Sequence, residues 1–340
     1  MNILVDLGHP KDVNIFKNVL YSLQKKGHII KIIVRDRENT KYVLHSLGFE
    51  CEICKFYTNI CQKAFGLLLN NLWLYNVSKS FKPDIFISPG SPYSAHVSSI
   101  LKKPHLAFSD TEIAGIVTKL TLPFTSKVYT STSFYLDLGS KQERFDGYYE
   151  LAYLHPKYFT PNKEVLNKYD LNDDYIILRL SAFDSSHDMN AVGFNFKTEK
   201  ELIQYVKQLE HYATVIILSE IHKWKTIKDH SLVIDSQDLH DIINYSILYI
   251  GEGATMASEA AILGVPSIYM SNTQRGYLNE LEQKYELVYT ISNRNDALKK
   301  AVEILENDAI LDEWKLKRNR MLSEKTDVVK FMVDSIEKFG

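Results

Sequence analysis

Residues 247–270, ILYIGEGATMASEAAILGVPSIYM, concentrate the residue types that can hold a phosphate. An apolar, β-prone run ends in Gly251-Glu252-Gly253, and Ala254 to Leu263 follows, rich in good helix formers. Gly264-Val265-Pro266 stops that helix and Ser267 opens another strand. A glycine-flanked turn feeding a helix N-terminus offers free backbone N–H groups and the positive end of the helix dipole. Gly253, Ala254 and Thr255 are therefore candidates to hold a phosphate or diphosphate. Glu259 follows about one and a half turns later on a helix of roughly 3.6 residues per turn, where a carboxylate can receive hydrogen bonds from both ribose hydroxyls. The same spacing also describes an ordinary helix packed on a sheet, with Ala260, Ala261 and Leu263 as its buried face. Spacing alone leaves the two readings evenly balanced.

Other candidates stand where strands are expected to end. Asp6-Leu7-Gly8-His9-Pro10 closes the first strand, and a histidine there has the ordinary pKa of a general base at neutral pH; it can equally cap the next helix. Asp110, Thr111 and Glu112 follow a strand at 104–108 and suit a base or substrate-orienting role, or the N-cap of a helix. Ser91 before Pro92 reads as a cap. In the second half, Arg179-Leu180-Ser181 leads into Phe183, Ser185, Ser186, His187 and Asp188, whose small polar residues suit a diphosphate. A hydrolase triad of Ser185, His187 and Asp188 is rejected, because a triad is a spatial arrangement and no Gly-x-Ser-x-Gly elbow is present. Ser219 and Glu220 end the next strand near an expected base or ribose, and His240-Asp241 reads as a helix cap.

These positions need a scaffold of alternating strands and helices. Strands are expected at 2–6, 29–35, 51–54, 84–88, 104–108 and 127–130, with helices at 12–26, 39–47 and 61–81 between them. Two prolines in 155–161 mark a linker, after which strands at 175–180, 214–219, 232–234, 247–250, 266–270 and 287–289 alternate with helices at 198–210, 239–245, 254–263 and 297–306. Such alternation implies parallel sheets with right-handed crossovers. The expected fold is α/β: two doubly wound Rossmann-like domains, 1–157 and 158–318, facing a cleft, with a helical stretch from 312, its last part 319–340, crossing back to the first.

A length of 340 residues suits two domains, and 45% hydrophobic with 24% charged residues is ordinary for a globular chain. The formal net charge of −2 carries no footprint for nucleic acid. No leader pattern precedes the first strand and no apolar stretch is long enough to span a bilayer, so a cytosolic location is expected, with the inner face of a membrane left open. Cys51, Cys54 and Cys61 lack a second ligand pair, and no metal site is expected. The helix around Leu67, Leu68, Leu69, Leu72, Trp73 and Tyr75 reads as mostly core, with a membrane surface or lipid tail as the lesser alternative for part of it.

Gly253-Ala254-Thr255-Met256-Ala257-Ser258-Glu259 with Gly264-Val265-Pro266 resembles the donor segment of GT-B enzymes, above all the peptidoglycan N-acetylglucosaminyltransferase. That resemblance implies ribose binding by Glu259. UDP-N-acetylglucosamine 2-epimerases share a similar segment, so the motif marks a superfamily. Gly8-His9 also resembles the first loop of the transferase, whose full glycine-rich loop is absent here. Over almost its whole length the chain resembles a prokaryotic family known only as a domain of unknown function, through Asp6–Pro10, Gly90–Tyr93, Asp110–Glu112, residues 150–156 and Ser186–Asp188. That family carries histidines at the positions of Asp12, Asn14 and Ile113 and tryptophan at Phe183, so a histidine cluster at the first loop is not implied.

The leading expectation is a metal-independent glycosyltransferase using a nucleoside-diphosphate sugar, UDP-linked by resemblance, with no further cofactor. His9, Asp110 or Glu112 would deprotonate a glycan or lipid-linked acceptor, while Gly8, Ser181, Ser185, His187, Ser219, Glu220, Gly253, Ala254, Thr255 and Glu259 bind substrate. An epimerase or hydrolase of the same sugar nucleotide, and a non-catalytic sugar-nucleotide binder, stand as alternatives.

Overall fold

The computed structural model describes residues 1–36, 40–57, 60–110, 112, 115–181, 193–221 and 224–339, with backbone alone for 60–64. The near-continuous apolar runs become short parallel strands, as burial on both faces requires. In the first half these are β1 (Asn2–Leu7), α1 (Pro10–Lys25), β2 (Ile29–Arg35), α2 (Thr40–Ser46), β3 (Cys51–Cys54), α3 (Ile60–Phe81), β4 (Ile85–Ser88), α4 (Pro92–Ile100), β5 (His105–Phe108), α5 (Gly115–Thr121), β6 (Lys127–Ser131), β7 (Gln142–Phe145) and α6 (Leu151–Leu154). The second half holds α7 (Val165–Lys168), β8 (Tyr175–Leu180), α8 (Glu199–Leu209), β9 (Thr214–Ser219), α9 (Lys225–His230), α10 (Leu239–Tyr245), β10 (Leu248–Gly251), α11 (Ala254–Leu263), β11 (Ser267–Met270), α12 (Gly276–Gln283), β12 (Val288–Ile291), α13 (Arg294–Leu305), α14 (Ile310–Glu324) and α15 (Val328–Glu337).

Two compact units result: Met1–Tyr153 with Thr326–Gly340, and Leu154–Lys325. The first has a seven-stranded sheet in the order β3-β2-β1-β4-β5-β6-β7 and the second a five-stranded sheet in the order β12-β11-β10-β8-β9. Every pairing of named strands is parallel. Strand order reverses between β1 and β4 in the first unit and between β8 and β10 in the second. Open α/β sheets bind ligands beyond the carboxyl ends of the strands at such switch points.

The expected strand at 232–234 does not form. Only an isolated bridge joins Ile217 to Ser231, and Val233 is 90% exposed, so its apolar side chain has no sheet face to cover. The edge strand β7, QERF, lies where no strand was expected, because three polar residues hide a strand of which only Phe145 is buried. The terminal stretch is two helices rather than one. Asp327 caps α15 through Lys330 N at 3.0 Å, and Thr326 N donates to Asp146 O at 2.8 Å, which returns the chain to the first unit. There Phe331 stacks on Phe145 and meets Tyr129 edge-on.

Candidate functional site

In the second unit Glu252, in the turn after β10, binds described residues on either side of the segment that follows β8. Its carboxylate accepts Ser181 N at 2.7 Å and Phe194 N at 2.7 Å, so one side chain holds both ends of the segment that follows β8. Gly193 has no side chain because a Cβ there would run into the Glu252 carboxylate. Burial pushes the Glu252 carboxyl up to about 7, against the opposing pull of the two N–H donors and Arg179. Sequence reading treated Glu252 only as part of a turn.

Gly253 is the N-cap of α11 and brings no side chain to it, so the first-turn N–H groups have no intrahelical acceptor and receive no cap from the N-cap residue. Gly253, Ala254 and Thr255 are half-buried, whereas α11 from Ala257 onward is buried. Gly264, with φ at +87°, ends the helix in the left-handed region that glycine adopts without strain.

Glu259 is 5% exposed and its Oε1 lies 3.1 Å from His240 Nε2. His240 is therefore not the expected cap: Asp238 holds the N-cap position of α10, and His240, 5% exposed, turns inward to Glu259. Ser219 closes its own turn with Ile221, donating to its carbonyl at 2.7 Å and accepting its N–H at 2.9 Å. Glu220 pairs with Arg179. Ser185, Ser186, His187, Asp188 and Phe183 lie outside the described residues.

The first unit builds its own cluster beyond β1. His9 is exposed and caps α1, accepting Lys11 N at 3.2 Å, while Asp12 completes a capping box by accepting Gly8 N at 2.8 Å and His9 N at 2.9 Å. Burial and the neighbouring Asp110 carboxylate push Asp12 up to about 7. Lys11 pairs with Asp110 and stands 3.9 Å from Glu150 Oε1. Glu112, 6% exposed, accepts Tyr135 N at 3.4 Å. Thr111 lies outside the described residues. Asp12 was not among the expected site residues, although an acidic residue in the first turn after a His-Pro start is a readable capping signal.

Beneath this cluster lies a buried polar network at the β1/β4 switch. Arg35 binds both Asp6 oxygens, with Nη2 3.1 Å from Oδ2, and the same Nη2 donates to Ser91 Oγ at 2.7 Å. Ser94 Oγ donates to Asp6 Oδ2 at 2.8 Å. Ser91 stands at the N-cap of α4 but makes no cap bond; its hydroxyl serves Arg35 instead.

Two all-parallel, doubly wound units are the architecture of the GT-B fold. The chain belongs to the family described as "Protein of unknown function (DUF354)", which it matches over residues 1–339. An uncharacterized protein of Methanocaldococcus jannaschii (MJ0665) is 22% identical over 280 residues, 79% of this chain and 81% of that protein. Among solved structures, the UDP-GlcNAc 2-epimerase of Neisseria meningitidis bound to UDP-GlcNAc superposes with a TM-score of 0.70 at 12% identity, covering 99% of this chain and 100% of that one. The spinosyn forosaminyltransferase SpnP gives a TM-score of 0.67 at 12% identity over 99% of this chain and 98% of that one. At such identities the likeness is one of fold.

Glu252 yields a pH signature. Its folded value of about 7 lies above the ordinary 4.5, so the folded state holds the proton more tightly. The stabilisation is complete below pH 4.5 and is lost as pH rises through about 7, a swing of about 3 kcal/mol. In Glu252→Gln this swing is absent. Denaturation of both proteins from pH 4 to 8 checks it: parallel stability curves across that window contradict the assignment. Asp12 titrates in the same window but is common to both proteins and cancels.

Proposed function

We propose that this chain is a glycosyltransferase that moves a sugar from a nucleoside diphosphate, UDP-linked, to a hydroxyl of a glycan or lipid-linked acceptor in surface-polysaccharide synthesis. The observation that carries the reading is the first turn of α11, whose N-cap Gly253 supplies no side-chain cap, at the β8/β10 switch point, with Glu259 further along the same helix. The diphosphate sits on the N–H groups of Gly253, Ala254 and Thr255, and the helix dipole stabilises the charge that develops as the diphosphate departs, so that no metal ion is required for that task. Glu259, oriented by His240, receives the ribose hydroxyls. Ser181 lies beside the diphosphate through the clasp that Glu252 makes.

In the first unit, acceptor deprotonation falls to the Asp12–Asp110 pair. A carboxylate whose pKa is pushed up to about 7 is matched to proton transfer near neutral pH. Lys11 pairs with Asp110, and His9 lies at the rim of the same cluster. Glu112 holds the backbone at Tyr135 and has a supporting place.

A second reading, epimerisation of the sugar nucleotide, is supported by the fold shared with UDP-GlcNAc 2-epimerases. An assay of UDP-GlcNAc with and without a panel of hydroxyl acceptors, read by NMR, separates them. The transferase reading expects UDP release only when an acceptor is present. A C2 epimer formed from donor alone overturns it in favour of the second reading, and binding without turnover under every condition leaves a sugar-nucleotide binder.

A further inference from the structure

Helix α3 is built with its apolar stripe outward. Phe65, Leu68, Leu69 and Leu72 follow the i, i+3, i+4, i+7 spacing of a face that helices normally bury. Yet they are 62%, 62%, 40% and 62% exposed, while Asn70 and Ser78 on the opposite side are 5% and 1% exposed. The core reading of this helix is thus corrected for its outer face: only its inner residues, Leu74 among them, are core. Helix α5 continues the surface with Ile116, 78% exposed, and Leu120, 40% exposed. His96 of α4 fixes the three helices side by side, with Nδ1 3.1 Å from Asn71 Nδ2 of α3 and Nε2 3.0 Å from Leu120 O of α5.

The charge around this face is one-sided. Helices α3, α4 and α5 carry Lys63, Lys79 and Lys119 and no acidic residue, and the segments joining them hold three acids, Asp84, Asp110 and Glu112. Asp84 lies 3.7 Å from Lys103 Nζ, Asp110 pairs with Lys11, and Glu112 is buried. Lys79, Lys102 and Lys119 are exposed. A broad apolar face with cations and almost no acids matches an anionic bilayer, where apolar side chains enter the headgroup boundary and lysines meet acidic lipids. A second copy of the chain fits less well, because a two-fold contact sets the same lysine-bearing patch against itself. No helix among the described residues is long and apolar enough to cross a membrane, so the contact is interfacial.

We propose that the first unit docks through the outer faces of α3 and α5 onto an anionic lipid surface. The inference is independent of the glycosyl-transfer reading. Sedimentation of the full chain with vesicles tests it, using phosphatidylcholine alone and phosphatidylcholine with phosphatidylglycerol. Expected is at least tenfold stronger partitioning to the anionic vesicles, falling at high salt, since each lysine at such a surface is worth roughly fivefold. Leu68→Ser with Leu72→Ser, which removes exposed apolar surface and leaves the core intact, lowers partitioning at least tenfold. Lys102→Gln with Lys119→Gln gives an independent loss of roughly 25-fold. Equal binding to neutral and anionic vesicles, or unchanged binding by both variants, overturns the proposal. So does self-association that the leucine variant abolishes while vesicles capture nothing, which makes a second copy the occupant.

Discussion

Glu259→Ala is expected to weaken binding of a nucleoside diphosphate about a hundredfold, measured by calorimetric titration with UDP. The side chain is 5% exposed on a helix whose N-terminus faces the switch point, and its partner His240 fixes its orientation at 3.1 Å. Hydrogen bonds to a charged group contribute about 1.5–3 kcal/mol each, so losing those to two ribose hydroxyls costs at least 3 kcal/mol, a factor of a hundred or more. Alanine is a good helix former and α11 should persist, although His240 loses its partner at a cost of about 1–3 kcal/mol in stability. Glu259→Gln separates the two effects. It keeps a hydrogen-bonding group for His240 and for one hydroxyl, and should lose only about tenfold in affinity. Equal affinities across wild type and both variants would remove Glu259 from the donor site.

The second large effect is structural. Arg35→Met should destabilise the first unit by about 3–5 kcal/mol, because it leaves the fully buried Asp6 carboxyl deprived of its cation. Ser94 alone cannot replace the two guanidinium contacts. The loss extends to Ser91 and to the packing of the guanidinium over Tyr93 at 4.8 Å. Replacing both members, Asp6→Leu with Arg35→Met, should recover much of the stability, since an apolar pair needs no counter-charge. Two units need not unfold together, so the readout is hydrogen exchange at β1 and β2 amides rather than a global melt. A loss of about 3 kcal/mol speeds exchange there by roughly 150-fold. No acceleration at β1 contradicts the assignment, and an acceleration equally large in the double variant shows that packing rather than charge pairing governs the switch.

The scaffold was legible in the sequence where burial imposes a pattern. Strands β2, β3, β8 and β9 and helix α10 form over the expected residues because parallel strands are apolar on both faces and Pro, Gly and Asn mark their ends. Helix α11 was legible for the same reason, with Gly253 before it and Gly264 after it. The misses share a cause: an edge strand such as β7 carries too few buried side chains to announce itself, and Leu232–Ile234 carries an apolar triplet with no sheet to join.

The chemistry of the site was legible only in part. Glu252 works through Ser181 and Phe194, 71 and 58 residues away in the chain, and only the β8–β10 pairing brings those N–H groups to it. His240 reaches Glu259 across two helices, so the pair is invisible to local spacing. Asp6 and Arg35 meet because β1 pairs with β2 in a register that sets Asp6 against Ile33 and Leu7 against Val34. In each case tertiary packing, rather than a local motif, assembles the polar contacts.

The central claim is that the first turn of α11 receives a diphosphate. A crystal structure of the protein with UDP tests it most directly. The account predicts diphosphate oxygens within hydrogen-bonding distance of the Gly253, Ala254 or Thr255 N–H groups, with the ribose hydroxyls on Glu259. UDP bound elsewhere on the chain, or no UDP bound at millimolar concentration, contradicts it.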